Sequence, residues 1–173
     1  GENALVVIAD QAKTLVHAAG CTIYRLQPDL ATLRPVVSRE PRFNALIMKT
    51  DLAVGRGIVG TVVAKRRAEV VNDTFRDPRA LVVPGTPRSP HERLMVAPLS
   101  ARGQLLGAMV LTRHREPFTQ DDLDLFTIFA GLASDALFAV RLHREVLRTK
   151  DFLERIVESS ADAIVTTDMR GVI

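Results

Sequence analysis

Residues able to do acid–base, metal or nucleophilic chemistry are few and scattered in this chain. The four histidines, His17, His91, His114 and His143, share no metal-ligand spacing. The one cysteine, Cys21, permits neither an intramolecular disulfide nor a cysteine-rich zinc site. It lies in GCTIYRL, a strand pattern, and reads as a small buried hydrophobe. Gly55, Gly57 and Gly60 form a GxGxxG, which in a dinucleotide fold would cradle phosphate after the first strand of a parallel unit. Here it follows several elements and has no acidic partner in register, so the glycines are read as serving turn geometry and close packing. The densest charge chemistry is Arg76, Arg79, Arg88 and Arg93, four guanidiniums in one irregular stretch that could grip a carboxylate or phosphate bidentately. The competing reading is local: Asp77 pairs with Arg79, and the other arginines face water.

Composition narrows the classes. A chain of 173 residues is long enough for one domain with a sizeable core. Its 47% hydrophobic and 25% charged residues are ordinary for a globular protein. No apolar run approaches the ~20 residues that span a bilayer, and the first residues lack a signal-peptide pattern. The net charge of +3 is mild. Basic clusters at Lys65-Arg66-Arg67 and along 141–150 read as solvated helix faces. One Tyr and no Trp leave little for base stacking, so neither a nucleic acid nor a membrane is an expected partner.

The elements that must position these residues follow from periodicity. Leu5, Ile8, Ala12, Leu15 and Ala19 recur at helical spacing over 2–19, and Gly20 ends that helix. CTIYRLQPD and TLRPVVSRE read as a strand pair, with Pro35 suggesting an edge. RFNALIMKTDL is a short helix or irregular segment. VGRGIVGTVVAKRR is a glycine-rich turn opening a helix, and AEVVND is a short strand. Residues 74–92 hold four prolines and predict a long loop with one helical turn near 77–81. RLMVAPLS and GQLLGAMVLTRH are apolar at nearly every position and should be central strands covered on both faces, joined at Arg102-Gly103. Helices on both faces follow. Thr119 caps a helix that runs to about residue 159, with Phe126, Ala130, Ala133, Leu137, Val140 and Leu147 on one stripe. A second stripe, Leu142, Val146, Leu153 and Ile156, then takes over.

This order of elements resembles a GAF domain. The resembling stretches are AAGCTIYRLQPD, VGRGIVGTVVAKRRAEVVNDTFRDPR and RLMVAPLSARGQLLGAMVLTRHREPFTQDDLDLFTIFAGLASDAL. The resemblance implies an α+β, profilin-like fold: a central antiparallel sheet of about six strands, helices on both faces and a long C-terminal connector helix. It implies a small-ligand site on the concave side of the sheet, roofed by 56–93, with Arg76, Arg79, Arg88, Arg93 and Asp73 as candidate ligand-binding residues. Several GAF subclasses fit less well. Sulfoxide reductases use several cysteines, and Cys21 is not where a bilin attaches. The cyclic-nucleotide signature is incomplete at Asn72-Asp73 and FTQDD. No cofactor or metal is expected, although an unidentified small molecule is.

FLERIVESSADAIVTTDMRGVI, the last stretch, resembles the start of a PAS domain: an entry helix, then a strand within 161–173, and a turn at Arg170-Gly171. The expected organisation is therefore a GAF sensory domain over 1–142, a coiled-coil-like connector over 143–160 and the truncated start of a PAS domain over 161–173. The expected function is a non-catalytic, cytoplasmic sensory module of a bacterial signalling protein. Its parent would be a sensor histidine kinase, with a diguanylate cyclase, a transcription activator or a ligand-free dimerising spacer as alternatives. A homodimer through the N- and C-terminal helices is expected, using Phe126, Ala130, Ala133, Leu137, Val140 and Leu147.

Overall fold

In the computed structural model, residues 2–171 are described, with side chains through Val165. The elements run α1 (Glu2–Leu15), β1 (Gly20–Leu26), β2 (Thr32–Ser38), α2 (Asn44–Ile47), β3 (Leu52–Ala53), α3 (Gly57–Lys65), β4 (Glu69–Val71), β5 (Glu92–Ala101), β6 (Gln104–His114) and α4 (Gln120–Gly171). Six strands form one sheet in the order β3-β2-β1-β6-β5-β4, with every pairing antiparallel. The chain divides into two compact units, Gly1–Phe138 and Ala139–Ile173.

The two apolar strands are central, and their alternation builds a core on each face. Met95, Ala97, Met109 and Leu111 join Cys21 and Ile23 from β1 beneath α1 and α4, which contribute Leu5, Ala9, Phe126 and Ala133. Val96, Ala108 and Val110 face the other way, with Tyr24 and Leu33, and meet Ile58, Val62 and Val63 of α3. Leu106, Ala108, Val110 and Leu111 are buried as their unbroken apolar run requires, whereas Leu94 is only half-buried. The β5–β6 hairpin turns at Arg102 (φ 51°) and Gly103 (φ 76°), a pair of left-handed residues that matches strand twist.

Local chemistry sets the element ends. α1 stops at Leu15, short of the expected 19, because His17 turns left-handed (φ 55°) and Ala18 N–H reaches back to Lys13 O. Thr119 caps α4 as its sequence suggests: its Oγ1 accepts from Asp122 N–H (3.2 Å), while Asp122 Oδ2 accepts from Thr119 N–H (2.8 Å). Gly60 lies so close to β3 that a Cβ would fall 2.0 Å from Ala53 O. The glycines of GxGxxG thus serve packing and turn geometry, with Gly55 and Gly57 at positive φ. Pro35 stands where β2 has no outer neighbour, since β3 pairs only with Thr32 and Leu33 and is itself the edge.

Two expectations about α4 are corrected. The strand expected after residue 160 and the turn at Arg170-Gly171 are helix, because α4 continues to Gly171. A strand there has no partner among the described residues, whereas a helix satisfies backbone groups within itself. Val172 and Ile173 lie outside the described residues. The stripe assigned to a dimer is also largely interior: Phe126, Ala130, Ala133 and Leu137 are buried in the sheet core. Val140 is half-buried, and only Leu147 is exposed. In the first unit the large apolar residues of α4 left outside are Ile128 and Leu132; in the second they include Leu142, Val146, Leu153 and Ile156. By composition and length α4 is apolar enough to cross a membrane, but its buried residues pack on the sheet.

Candidate functional site

A cavity of about 1040 Å³ lies on the α3 side of the sheet. Its floor is the face of β1, β6 and β5 that carries Thr22, Tyr24, Val110, Thr112, His114, Glu92 and Leu94. Gly57, Ile58 and Val59 of α3 form one wall, residues 40–43 another, and the irregular segment from Thr74 to Pro90 the roof. That segment has no regular secondary structure beyond turns, as its prolines dictate.

The arginines do not converge on this cavity. Arg79 is a clasp within the roof: its Nη2 donates to Glu69 Oε1 (2.6 Å) and Asp77 Oδ2 (2.7 Å), and its Nε to Asp77 Oδ1 (3.0 Å). These hydrogen bonds hold the Glu69 and Asp77 carboxyls below the usual carboxylate range and raise the Arg79 guanidinium further. Arg76 stands 3.9 Å from Asp73, both exposed. Arg93 donates to Arg115 O (3.2 Å). Arg88 alone of the five candidates lines the cavity, stacked over the Phe75 ring at 4.9 Å and donating to Phe75 O (2.6 Å). The local reading of these charges is therefore the one the geometry supports.

The polar groups that do converge went unnoticed in sequence. Glu40, just beyond β2, lays its carboxylate over Gly20 of β1 and accepts from Thr112 Oγ1 at 3.0 Å to each oxygen. A Cβ on Gly20 would fall 2.1 Å from Glu40 Oε2, so the missing side chain makes the seat for this carboxylate. Burial pushes the Glu40 carboxyl up to about 7; Glu92 adds repulsion, and the Thr112 bond and Lys13 only partly offset these. Glu92 opposes His114 across β5–β6, and burial raises its carboxyl as well. Tyr24 is 6% exposed and lines the cavity. Burial, with Glu40 nearby, pushes its phenol upward. Thr22, also buried, donates to Ser38 Oγ (3.4 Å). A signal for Glu40 existed: an acid immediately after a strand, opposite a glycine that opens the neighbouring strand.

The remaining chemical candidates are inert by position. Cys21 is fully buried on the opposite face, and burial pushes its thiol well above the ordinary range, so it is no thiolate nucleophile. Among the described residues no His, Cys, Asp and Glu group could hold a metal ion.

A six-stranded antiparallel sheet, helices on both faces and a roofed cavity over the sheet define an α+β domain built around one concave site. A GAF-domain family model matches residues 2–137, and the chain belongs to the GAF family. No curated protein sequence matches it. Among solved structures, it resembles the GAF domain of a phosphoenolpyruvate-protein phosphotransferase from Coxiella burnetii, with a TM-score of 0.74 and 16% identity over 83% of this chain and 86% of that one. The second GAF domain of DevS from Mycobacterium smegmatis gives 0.66 and 21% over 83% and 97%. Free methionine-R-sulfoxide reductase from Neisseria meningitidis, solved with its substrate, gives 0.65 and 21% over 80% and 78%. At these identities the likeness is one of fold.

Proposed function

We propose that this chain is the sensory input module of a multidomain signalling protein, and that a small molecule in the cavity is its signal. The observation that carries the reading is the cavity, about 1040 Å³ with apolar side chains such as Val110, Leu94 and Ile58 and a few convergent polar groups. That is the character of a small-molecule site, at the upper end of the usual size. The module is non-catalytic, and the change on binding passes along α4. The parent protein is read as a cytoplasmic bacterial sensor histidine kinase, with a diguanylate cyclase or a transcription activator as the alternative. The likeness of residues 152–173 to the start of a PAS domain supports a PAS domain as the next step of the relay. A thermal-shift screen of small metabolites tests the pocket: stabilising compounds should lose their effect when Leu94→Trp fills the floor. Stabilisation that survives Leu94→Trp, or a screen with no stabilising compound, would overturn it.

A second reading, a dimerising spacer, is favoured by α4. Ile128, Leu132, Ala139, Leu142, Val146, Leu153 and Ile156 are exposed and fall in one series spaced by fours and threes, with Asp135 and Thr149 at the intervening places. Such spacing suits a two-stranded coiled coil. On this reading, two copies pair through that series, not through the buried Phe126 stripe. Val146→Glu with Leu153→Glu should give monomers by sedimentation with an unchanged melt. A wild type that is already monomeric at high concentration would reject the pairing.

A further inference from the structure

Two carboxyls at the inner end of the cavity, Glu40 and Glu92, make no ion pair among the described residues. Glu40 accepts only from the Thr112 hydroxyl, and among the described residues no hydrogen bond or ion pair reaches the Glu92 carboxylate. The strand register places the two acids on neighbouring pairs: Gly20, beneath Glu40, is opposite Thr112, and Glu92 is opposite His114. A separate observation also points to a ligand. Tyr24 is more than nine-tenths buried and lines the cavity, and its hydroxyl, which makes no hydrogen bond among the described residues, is the part left open to the cavity space. Four guanidiniums also line the cavity, those of Arg42, Arg56, Arg88 and Arg115; all belong to exposed residues, Arg88 is held by Phe75, and none pairs with Glu40 or Glu92.

Resting on the ligand-pocket reading, we propose that the cavity takes a small organic cation, a protonated amine on an apolar body, with its ammonium between Glu40 and Glu92. An ammonium offers three donors and no acceptor, which complements two carboxylates whose lone pairs are mostly unused. The body lies along Val110 and Leu94 toward Tyr24, whose hydroxyl takes a further polar atom. Burial, with repulsion from Glu92, raises the Glu40 carboxyl, so that it holds its proton while the site is empty. A bound cation favours the carboxylate, so binding expels a proton from Glu40 and tightens as pH rises through about 7. The charged and titratable groups coupled to Glu40 are Glu92 on β5, Tyr24 and Cys21 on β1 and Lys13 on α1, and the last competes weakly because its ammonium donates to Arg39 O; His114 on β6 acts on Glu92.

Isothermal titration of the whole chain with 2-phenylethylamine, 2-phenylethanol and 3-phenylpropionate tests this at about pH 6 and about pH 8. The amine should bind at least ~10-fold more tightly than the alcohol, as charge-assisted hydrogen bonds allow. That margin should widen at the higher pH and vanish in both Glu40→Gln and Glu92→Gln. Alcohol or propionate binding as tightly as the amine would overturn the cation while leaving a ligand pocket. So would no binding of any of the three alongside a metabolite that stabilises the wild type but not Leu94→Trp. No binding of the three and an empty metabolite screen would overturn both.

Discussion

The seat of Glu40 makes stability depend on pH in an unusual direction. A carboxyl held at about 7 in the folded chain titrates near 4.5 once unfolded and solvated. Between those values the folded state binds more protons than the unfolded state, so stability falls as pH rises through the window. Below about 4.5 the group costs nothing, since both states are protonated; above about 7 the loss is complete. At about 1.36 kcal/mol per pH unit the full loss is about 3 kcal/mol. That is a large share of the roughly 5–15 kcal/mol that holds a domain folded. Glu40→Gln keeps the shape and a hydrogen bond to Thr112 but cannot ionise. Urea unfolding of wild type and variant from about pH 5 to about pH 8.5 should therefore show similar stabilities at the acid end. The variant should gain by up to about 3 kcal/mol at the alkaline end. Glu92 is raised too, so its contribution has the same sign but is present in both proteins and largely cancels in the difference. Glu69 and Asp77 are lowered by Arg79, and their stabilisation is lost only as pH falls below the ordinary carboxylate range, outside this window. Parallel pH profiles for the two proteins would refute the reasoning.

Gly60→Ala should destabilise by about 1–3 kcal/mol in urea unfolding, because its Cβ meets the Ala53 carbonyl, which is backbone and cannot swing aside. A change under about 0.5 kcal/mol would mean that α3 and β3 are not held as close as they lie here. Arg79→Ala should release the roof from β4, seen as several-fold faster limited proteolysis within residues 74–92 with the global melt little changed; equal cleavage rates would remove Arg79 as the clasp.

Much of the scaffold was legible because it rests on alternation. Met95 and Val96, or Met109 and Val110, are adjacent apolar residues that face opposite cores, and an unbroken apolar strand admits no other solution. The site was legible only in outline. Four arginines in eighteen residues look like an anion grip, but Arg79 was already claimed by Glu69, ten residues away across a strand and a turn. Pairing of that kind depends on register, which no spacing rule supplies. Glu40 was easy to pass over for the converse reason: its meaning comes from Gly20, a residue whose contribution is absence. On α4 the misjudgement was of phase. Two stripes with the same four-three spacing run along it, offset by two residues, and the sheet takes the one with Phe126, whose ring buries the most apolar surface. At the far end, IVTT has strand propensity, but propensity without a partner edge yields to the helix's internal hydrogen bonds.

The cavity and the first part of α4 lie on opposite faces of one sheet, so a relay between them has to cross it, and β6 shows where the crossing is short. Thr112 faces the cavity and holds Glu40. Its neighbour Arg113 faces the helices. There it donates to His17 O (3.3 Å) and Val16 O beyond the end of α1, to Pro117 O (3.1 Å), and to Asp122 Oδ2 in the first turn of α4 (3.1 Å). Its guanidinium also lies 4.2 Å from the Phe118 ring centroid. Successive residues of a strand share one backbone, so a displacement of Thr112 is transmitted to Arg113 by the pleat itself. A second tie stands on β5, where Ser100 N–H donates to the buried Ser134 Oγ (3.1 Å), which in turn donates to Ala130 O (2.7 Å). Coupling needs a group whose contacts differ between two states, and not merely a rigid path. On the proposed reading, Glu40 is that group: protonated and bound to Thr112 when the cavity is empty, ionised and drawn to a cation when it is filled. The hydroxyl of Thr112 follows the charge, and Arg113, fixed to both helices by hydrogen bonds with little slack, is the first residue on the far face to feel it.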